Sequence, residues 1–167
     1  FSKNDLDITN YDLVKHTIEK INPEVVINCG AYTDVDGCEV NQKNAFLVNS
    51  EAPKYLSILL NKKNILFIHI SSDYVFEGKD NYFYNEEDQA NPVSTYGQSK
   101  LNGDINIISN SKKFLIFRVS WLYSIYKNNF LTKMIDLSKK NTTLNVIENE
   151  YGIPTYAEDV ANLIYSS

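Results

Sequence analysis

The chain reads as an α/β protein with a doubly wound parallel sheet. Three observations predict this. Val25 to Asn28, Ile65 to Ser71 and Phe114 to Trp121 are short apolar runs without alternation, the pattern of strands buried on both faces. Stretches with helical apolar spacing separate them, which implies parallel strands with helices on both faces. Polar and aromatic residues gather at the carboxyl ends of the runs, where ligands bind in such sheets. They are Asn28-Cys29-Gly30-Ala31-Tyr32-Thr33, Ser71-Ser72-Asp73-Tyr74 and Ser120-Trp121-Leu122-Tyr123.

The elements follow in order. Asn10 to Ile21 is a predicted helix, with Leu13, Ile18 and Ile21 near helical spacing and Asn22-Pro23 as its stop. The first strand, Val25 to Asn28, follows. Asn41 to Leu60 is a long predicted helix, broken or re-angled near Pro53. Ile65 to Ser71 is the second strand, and Glu77 to Pro92 is a polar, tyrosine-rich loop. Thr95 to Ser109 is a helix with Ser94 as its N-cap. Phe114 to Trp121 is the third strand and Asn129 to Lys139 a helix. Leu144 to Ile147 is a short strand, and Ala157 to Ile164 a final helix. Cys29 is expected buried on a strand and Cys38 in a loop.

Composition narrows the function classes. Hydrophobic residues make up 43% and charged residues 22%, ordinary for a globular domain. The net charge of −5, with no basic cluster, argues against a nucleic-acid partner. No apolar stretch approaches the ~20 residues of a membrane span, and no signal peptide is visible. A cytoplasmic location is the expectation. The two cysteines fit no metal or redox spacing, His16 and His69 are far apart, and no metal site is expected. His69, inside an apolar strand, reads as structural.

The chemistry lies in Ser71-Ser72-Asp73-Tyr74-Val75-Phe76 followed by Tyr96-Gly97-Gln98-Ser99-Lys100. A free tyrosine has a pKa of ~10 and exchanges protons poorly near neutrality. A lysine four residues later shares its helical face, and its charge is expected to lower the phenol's pKa. Such a group serves as a general acid or base. A serine from the neighbouring strand end can hold a carbonyl oxygen in line with the phenol. Ser72 is the first choice for that role and Ser71 the second. With 12 Tyr in the chain, the Tyr-x-x-x-Lys spacing alone carries little information, and Tyr11/Lys15 and Tyr123/Lys127 share it. Only Tyr96/Lys100 combines a helix start with an upstream hydroxyl-bearing strand end.

The six glycines form no dinucleotide-binding turn. Either no dinucleotide is bound or the first βαβ unit lies outside this sequence. Phe1 as first residue, followed by Asp5-Leu6-Asp7-Ile8-Thr9-Asn10, favours the second expectation.

These blocks resemble the extended short-chain dehydrogenase/reductases, and within them the dTDP-4-dehydrorhamnose reductase family. The resemblance rests on Asp5-Leu6-Asp7-Ile8-Thr9, on Val25 through Asp36, on Ser71 through Phe76 and on Tyr96 through Leu101. Arg118 through Tyr123, Asn128-Asn129-Phe130 and Tyr151 through Thr155 extend it. It implies a Rossmann-like domain over 1–140 without its first βαβ unit, then the start of a substrate-binding region over 141–167. The implied reaction is reduction of the C4 keto group of dTDP-4-dehydro-L-rhamnose by NADPH or NADH, for surface polysaccharide synthesis. The implied partner is a dTDP-sugar, and a homodimer is compatible.

By resemblance, Tyr96 is the proton donor, Lys100 holds the nicotinamide ribose, and Ser72 stands where the family usually has threonine. Asp7, Ile8, Gly30, Ala31 and Thr33 match cofactor-side positions. Thr33, Val35, Tyr74 and Trp121 match substrate-side positions, with Asn129 and Thr155 as weaker matches. Glu158 matches a glutamate that binds Mg2+ at a dimer contact in some members, but no metal is expected here. Cys29-Gly30 and Gly37 depart from the family's usual residues, as does Glu150. Two alternatives share the pattern. One is a nucleotide-sugar epimerase or dehydratase. The other is a non-catalytic subunit like the regulatory subunit of methionine adenosyltransferase.

Overall fold

The structure is a computed structural model and describes residues 1–79, 82–126, 129–146, 148 and 152–167. Lys127, Asn128, Ile147, Glu150 and Tyr151, which figure in the expectations above, lie outside the described residues. The chain divides into two compact units, Phe1–Arg118 and Val119–Ser167. The α/β class with parallel strands is as expected.

Helix α1 (Tyr11–Ile21) opens the first unit, with the Asn10 side chain accepting from the Leu13 amide as N-cap. It ends in left-handed Asn22, at φ 48°. Strand β1 (Val25–Asn28) pairs in parallel with β2 (Leu66–Ser72), Val26 opposite Phe67 and Asn28 opposite His69. Strand β3 (Phe114–Val119) completes the order β1-β2-β3.

Between β1 and β2 run α2 (Val35–Val40), α3 (Gln42–Phe46), a π-helical turn at Leu47–Glu51, and α4 (Ala52–Lys62). A 3-10 turn, Asp73–Val75, follows β2, and α5 (Thr95–Asn110) leads to β3. The core joins Val14 and Ile18 of α1, Leu56, Leu59 and Leu60 of α4, Phe67 of β2 and Ile107 of α5.

Several expectations are corrected. β1 is not buried on both faces, since Val25 and Ile27 are 44% and 48% exposed. It lies at the edge of the three-strand order, and its residues alternate. Cys29 is exposed just past β1, whereas Cys38 is fully buried on α2, a helix that its short length and Gly37 conceal in the sequence. The helix predicted from Asn41 is interrupted near Pro53, as expected, where α4 begins at Ala52. Its irregularity is the π turn just before.

The second unit holds β4 (Leu122–Tyr123), α6 (Phe130–Ser138), β5 (Thr155–Tyr156) and α7 (Ala157–Ser166), with β4 and β5 paired in parallel. Leu144 to Val146, predicted as strand, form none. The expected third strand stops before Trp121, whose φ of 41° is left-handed and incompatible with an extended run.

Candidate functional site

The site grows from the carboxyl end of β2 and the start of α5. Ser94 caps α5, its Oγ accepting the Gly97 amide at 3.1 Å. Glu39 of α2 reinforces that start, its carboxylate accepting both the Thr95 amide and the Thr95 hydroxyl at 2.7 Å. Tyr96 is thereby placed in the first turn. At Gly97 the helix passes so close to the Tyr74 carbonyl that an added Cβ would collide with it. The Tyr74 and Tyr96 rings meet edge to face at 5.4 Å. Tyr96 also packs with Cys38 and Ala45, and Tyr32 and Val35 lie against this cluster.

Ser72 and Ser71 are both buried, but they face different tasks. The Ser72 hydroxyl accepts the Tyr74 amide at 3.2 Å and donates to Asp73 Oδ1 at 3.1 Å. It also acts on the Tyr96 phenol. The Ser71 hydroxyl lies near Asp104 of α5, where Ser71 Oγ and Asp104 Oδ1 are buried short of good hydrogen-bond geometry. Ser72, the first choice, is therefore the serine beside the phenol.

Burial pushes the Tyr96 phenol above its ordinary pKa, with Ser72 pulling the other way and Asp73 adding to the rise. This corrects the expectation that Lys100 lowers it. Lys100 is not among the groups that shift the phenol here, and its amine is engaged by other partners. Its Nζ donates to the Ile70 carbonyl at 2.8 Å and lies 3.3 Å from His69 Nε2. Only 1% exposed, Lys100 is itself shifted, burial lowering its pKa to about 8 while Asp104 opposes the change. Asp104 is raised by its own burial, against the pull of Ser71 and of Arg118, whose Nε lies 3.1 Å from Asp104 Oδ2.

The loop after β1 reaches the same rim. The Asn49 side chain accepts the Tyr32 amide at 2.8 Å and donates to the Tyr32 carbonyl and to Ser99 Oγ, both at 3.0 Å. Ser99 donates in turn to the Tyr96 carbonyl at 2.7 Å. Ile8 lies against Gly30, where an added Cβ would come within 3.1 Å of its side chain. Asp7, one residue earlier, accepts from the Thr9 amide and hydroxyl. Ala31 and Val35 are half-buried and Thr33 is exposed.

The second unit holds the remaining matched positions. Trp121 packs against Phe130 at 5.6 Å and over Gly152. Its carbonyl accepts the Thr155 amide at 3.3 Å. Asn129 caps α6, accepting the Thr132 amide at 3.0 Å and donating to the Ser124 carbonyl at 2.6 Å.

Sequence reasoning missed Asn49, Glu39 and Asp104. It placed Asn28 at a strand end but missed its pairing with His69, whose Nδ1 lies 3.1 Å from the Asn28 amide. The available signal was a polar residue inside or closing an apolar run, which Asn28 and His69 both are. Among the described residues, no group of three or more His, Cys, Asp or Glu could hold a metal ion, and no helix is long and apolar enough to cross a membrane.

The dTDP-4-dehydrorhamnose reductase from Aggregatibacter actinomycetemcomitans is 38% identical over 160 residues, 96% of this chain and 54% of the relative. A crystal structure of dTDP-4-dehydrorhamnose reductase from Bacillus anthracis in complex with NADP superposes with a TM-score of 0.96 at 34% identity, over 99% of this chain and 59% of that one. The Clostridium acetobutylicum dTDP-4-dehydrorhamnose reductase structure gives 0.94 at 37% identity, with the same two coverages of 99% and 59%. The chain thus spans about half the length of the curated relatives it matches. The family model described as the RmlD substrate binding domain matches residues 1–167, and the chain belongs to that family.

Proposed function

We propose that this chain carries the proton-donating machinery of an NADPH-dependent reductase that converts the C4 keto group of dTDP-4-dehydro-L-rhamnose to the hydroxyl of dTDP-L-rhamnose. The observation that carries this reading is the convergence of Ser72, Tyr74 and Tyr96 at the end of β2, with Lys100 one helical turn behind the phenol.

The donor set fits a nicotinamide cofactor on chemical grounds. A phenol, a hydroxyl and an amine transfer and direct protons, but none supplies electrons. When bound, the nicotinamide supplies the hydride. Lys100, buried with its Nζ on the Ile70 carbonyl here, is proposed to hold a ribose hydroxyl once it turns toward the site. Ile8, Gly30 and Ala31 are proposed on the cofactor side with Asp7 and Thr33.

The residues divide the proton work. Ser72, whose hydroxyl donates to Asp73 Oδ1 here, turns that one proton to the substrate carbonyl oxygen when substrate binds. Tyr96, kept protonated by burial, gives its proton to that oxygen as negative charge develops there. The phenolate left behind is stabilised when the Lys100 charge turns toward it. Tyr74, edge-on to Tyr96, restricts the phenol to one orientation. Thr33, Val35, Tyr74, Trp121, Asn129 and Thr155 are proposed on the substrate side. The Asn129 amide also serves the α6 cap.

The test follows NADPH absorbance with dTDP-4-dehydro-L-rhamnose, using the complete polypeptide that carries this sequence. Tyr96→Phe is expected to lose about 10²–10⁴-fold in turnover, the usual worth of a general acid. Unchanged turnover in that variant would remove Tyr96 from the reaction. NADPH binding without turnover of any dTDP-4-keto sugar would favour a non-catalytic, regulatory-subunit role.

A further inference from the structure

Behind Lys100 lies a buried polar line that the proton transfer itself does not use. It starts at a backbone group. The Gly30 amide donates to Asn28 Oδ1 at 3.0 Å, so the oxygen end of that side chain is fixed on the Gly30 side. Asn28 Nδ2 must then be the atom that faces His69 Nδ1 at 3.1 Å. An amide nitrogen only donates, so His69 Nδ1 accepts and bears no proton.

His69 is fully buried, and burial, followed by the Lys100 charge, keeps it neutral. Its one proton therefore sits on Nε2, the atom 3.3 Å from Lys100 Nζ. A protonated Nε2 offers no lone pair to an ammonium. It can, however, donate to a neutral amine. The other groups around this contact are accounted for. The Ile70 carbonyl accepts from Nζ. Asp104, on α5 with Lys100, favours the ammonium, but Arg118 of β3 engages it. Asn28 of β1 is uncharged.

We propose that Asn28 and His69 form a tautomer-fixed seat that disfavours the ammonium form of Lys100, which makes His69 a positioning residue for the reaction. The proposal rests on the reading of Tyr96 and Lys100 given above. Charging Lys100 and moving it off His69 become one coupled event. The seat holds the lysine away from the phenol, and the charged form is better served once it leaves.

The test uses the complete polypeptide labelled with ¹³C at lysine Cε and ¹⁵N in the histidine ring. By NMR, wild-type His69 is expected to be neutral and protonated on Nε2. Asn28→Asp keeps an oxygen for the Gly30 amide but offers His69 only acceptors. It is expected to move the histidine proton to Nδ1 and raise the Lys100 titration midpoint by about one unit, a tenfold shift toward ammonium. His69→Gln, whose amide oxygen can accept from the ammonium, is expected to raise it in the same direction.

A wild-type His69 protonated on Nδ1 or doubly protonated would overturn the proposal. So would a Lys100 midpoint unmoved in both variants. Should Asn28→Asp fail to fold, the wild-type tautomer and His69→Gln decide. The functional reading fails separately, through full turnover by Tyr96→Phe with these titrations unchanged.

Discussion

Followed from its Ile65 end, the buried seam between β2 and α5 is apolar. Phe67 and Ile107 meet there with Leu56, Leu60, Val14 and Ile18. Followed from its other end, the same seam is polar, with His69, Ser71, Ser99, Lys100 and Asp104 buried as deeply as Phe67. Along one face of β2 the change takes two steps, from Phe67 to His69 to Ser71, at the two-residue period of a strand. At the apolar end each side chain removed from water contributes roughly 1.5–3 kcal/mol. At the polar end each group loses water and regains only what its partners return. Equal burial therefore carries opposite energetic meaning at the two ends. Stability comes from the apolar end, while the polar end, on the same helix and strand, holds the groups proposed above for proton transfer.

The largest expected effect lies at the apolar end. Phe67→Ala is expected to cost about 4 kcal/mol, because it leaves a cavity among α1, α4 and α5. Denaturant unfolding measures this. A loss no larger than that of a surface substitution would break the contrast.

The next test belongs to the polar end. Lys100 is a base lowered from 10.5 to about 8 in the folded state. The unfolded chain thus binds more protons than the folded one between those values. Stability should rise as pH climbs through that window, and the penalty is carried in full below it. The span is on the order of 3 kcal/mol. Urea unfolding of wild type and Lys100→Met at about pH 7.5 and about pH 10 reads it, with the rise expected in wild type only.

A smaller effect joins the two ends. Gly97→Ala would force α5 from the Tyr74 carbonyl, for about 2 kcal/mol of overpacking, and would lower kcat by disturbing the Tyr74–Tyr96 contact. A kcat left intact would mean that Tyr74 does not orient the phenol. The smallest is Ser94→Ala, which removes the α5 cap and is expected to cost about 1 kcal/mol, read as a shift in denaturant midpoint at constant slope.

What the sequence made legible follows the same division. The strands were readable from Val25-Val26-Ile27 and Leu66-Phe67-Ile68 because short apolar runs between helical stretches mark strands, even where, as in β1, one face is exposed. Ser72, Tyr96 and Lys100 could be singled out as candidates because their residue types suit one chemistry at one spacing. Where the Lys100 amine points was not readable. The direction depends on Ile70 and His69, which come near it only when β2 and α5 pack. For the same reason the rise in the Tyr96 pKa was hidden, since desolvation is a property of the packed cluster with Cys38 and Ala45. The alternation in β1 was misread because Val25 and Ile27 are as apolar as their neighbours and only the sheet order exposes them. Helix α2 was missed because six residues with a glycine carry little periodicity.

The π turn at Leu47–Glu51 has a mechanical meaning. It sits between two ordinary helical stretches, and it carries Asn49, which grips the Tyr32 backbone from both sides and holds Ser99. An α-helix advances about 100° per residue, so the wider turn sets the angular phase at which that amide emerges. Deleting one residue there would let the segment rewind as continuous α-helix and would swing Asn49 away from the loop. The latch between the loop after β1 and the helix bearing Tyr96 is thus a matter of timing along the screw. A chain with Ser72, Tyr96 and Lys100 all intact would lose that latch by a single change of phase.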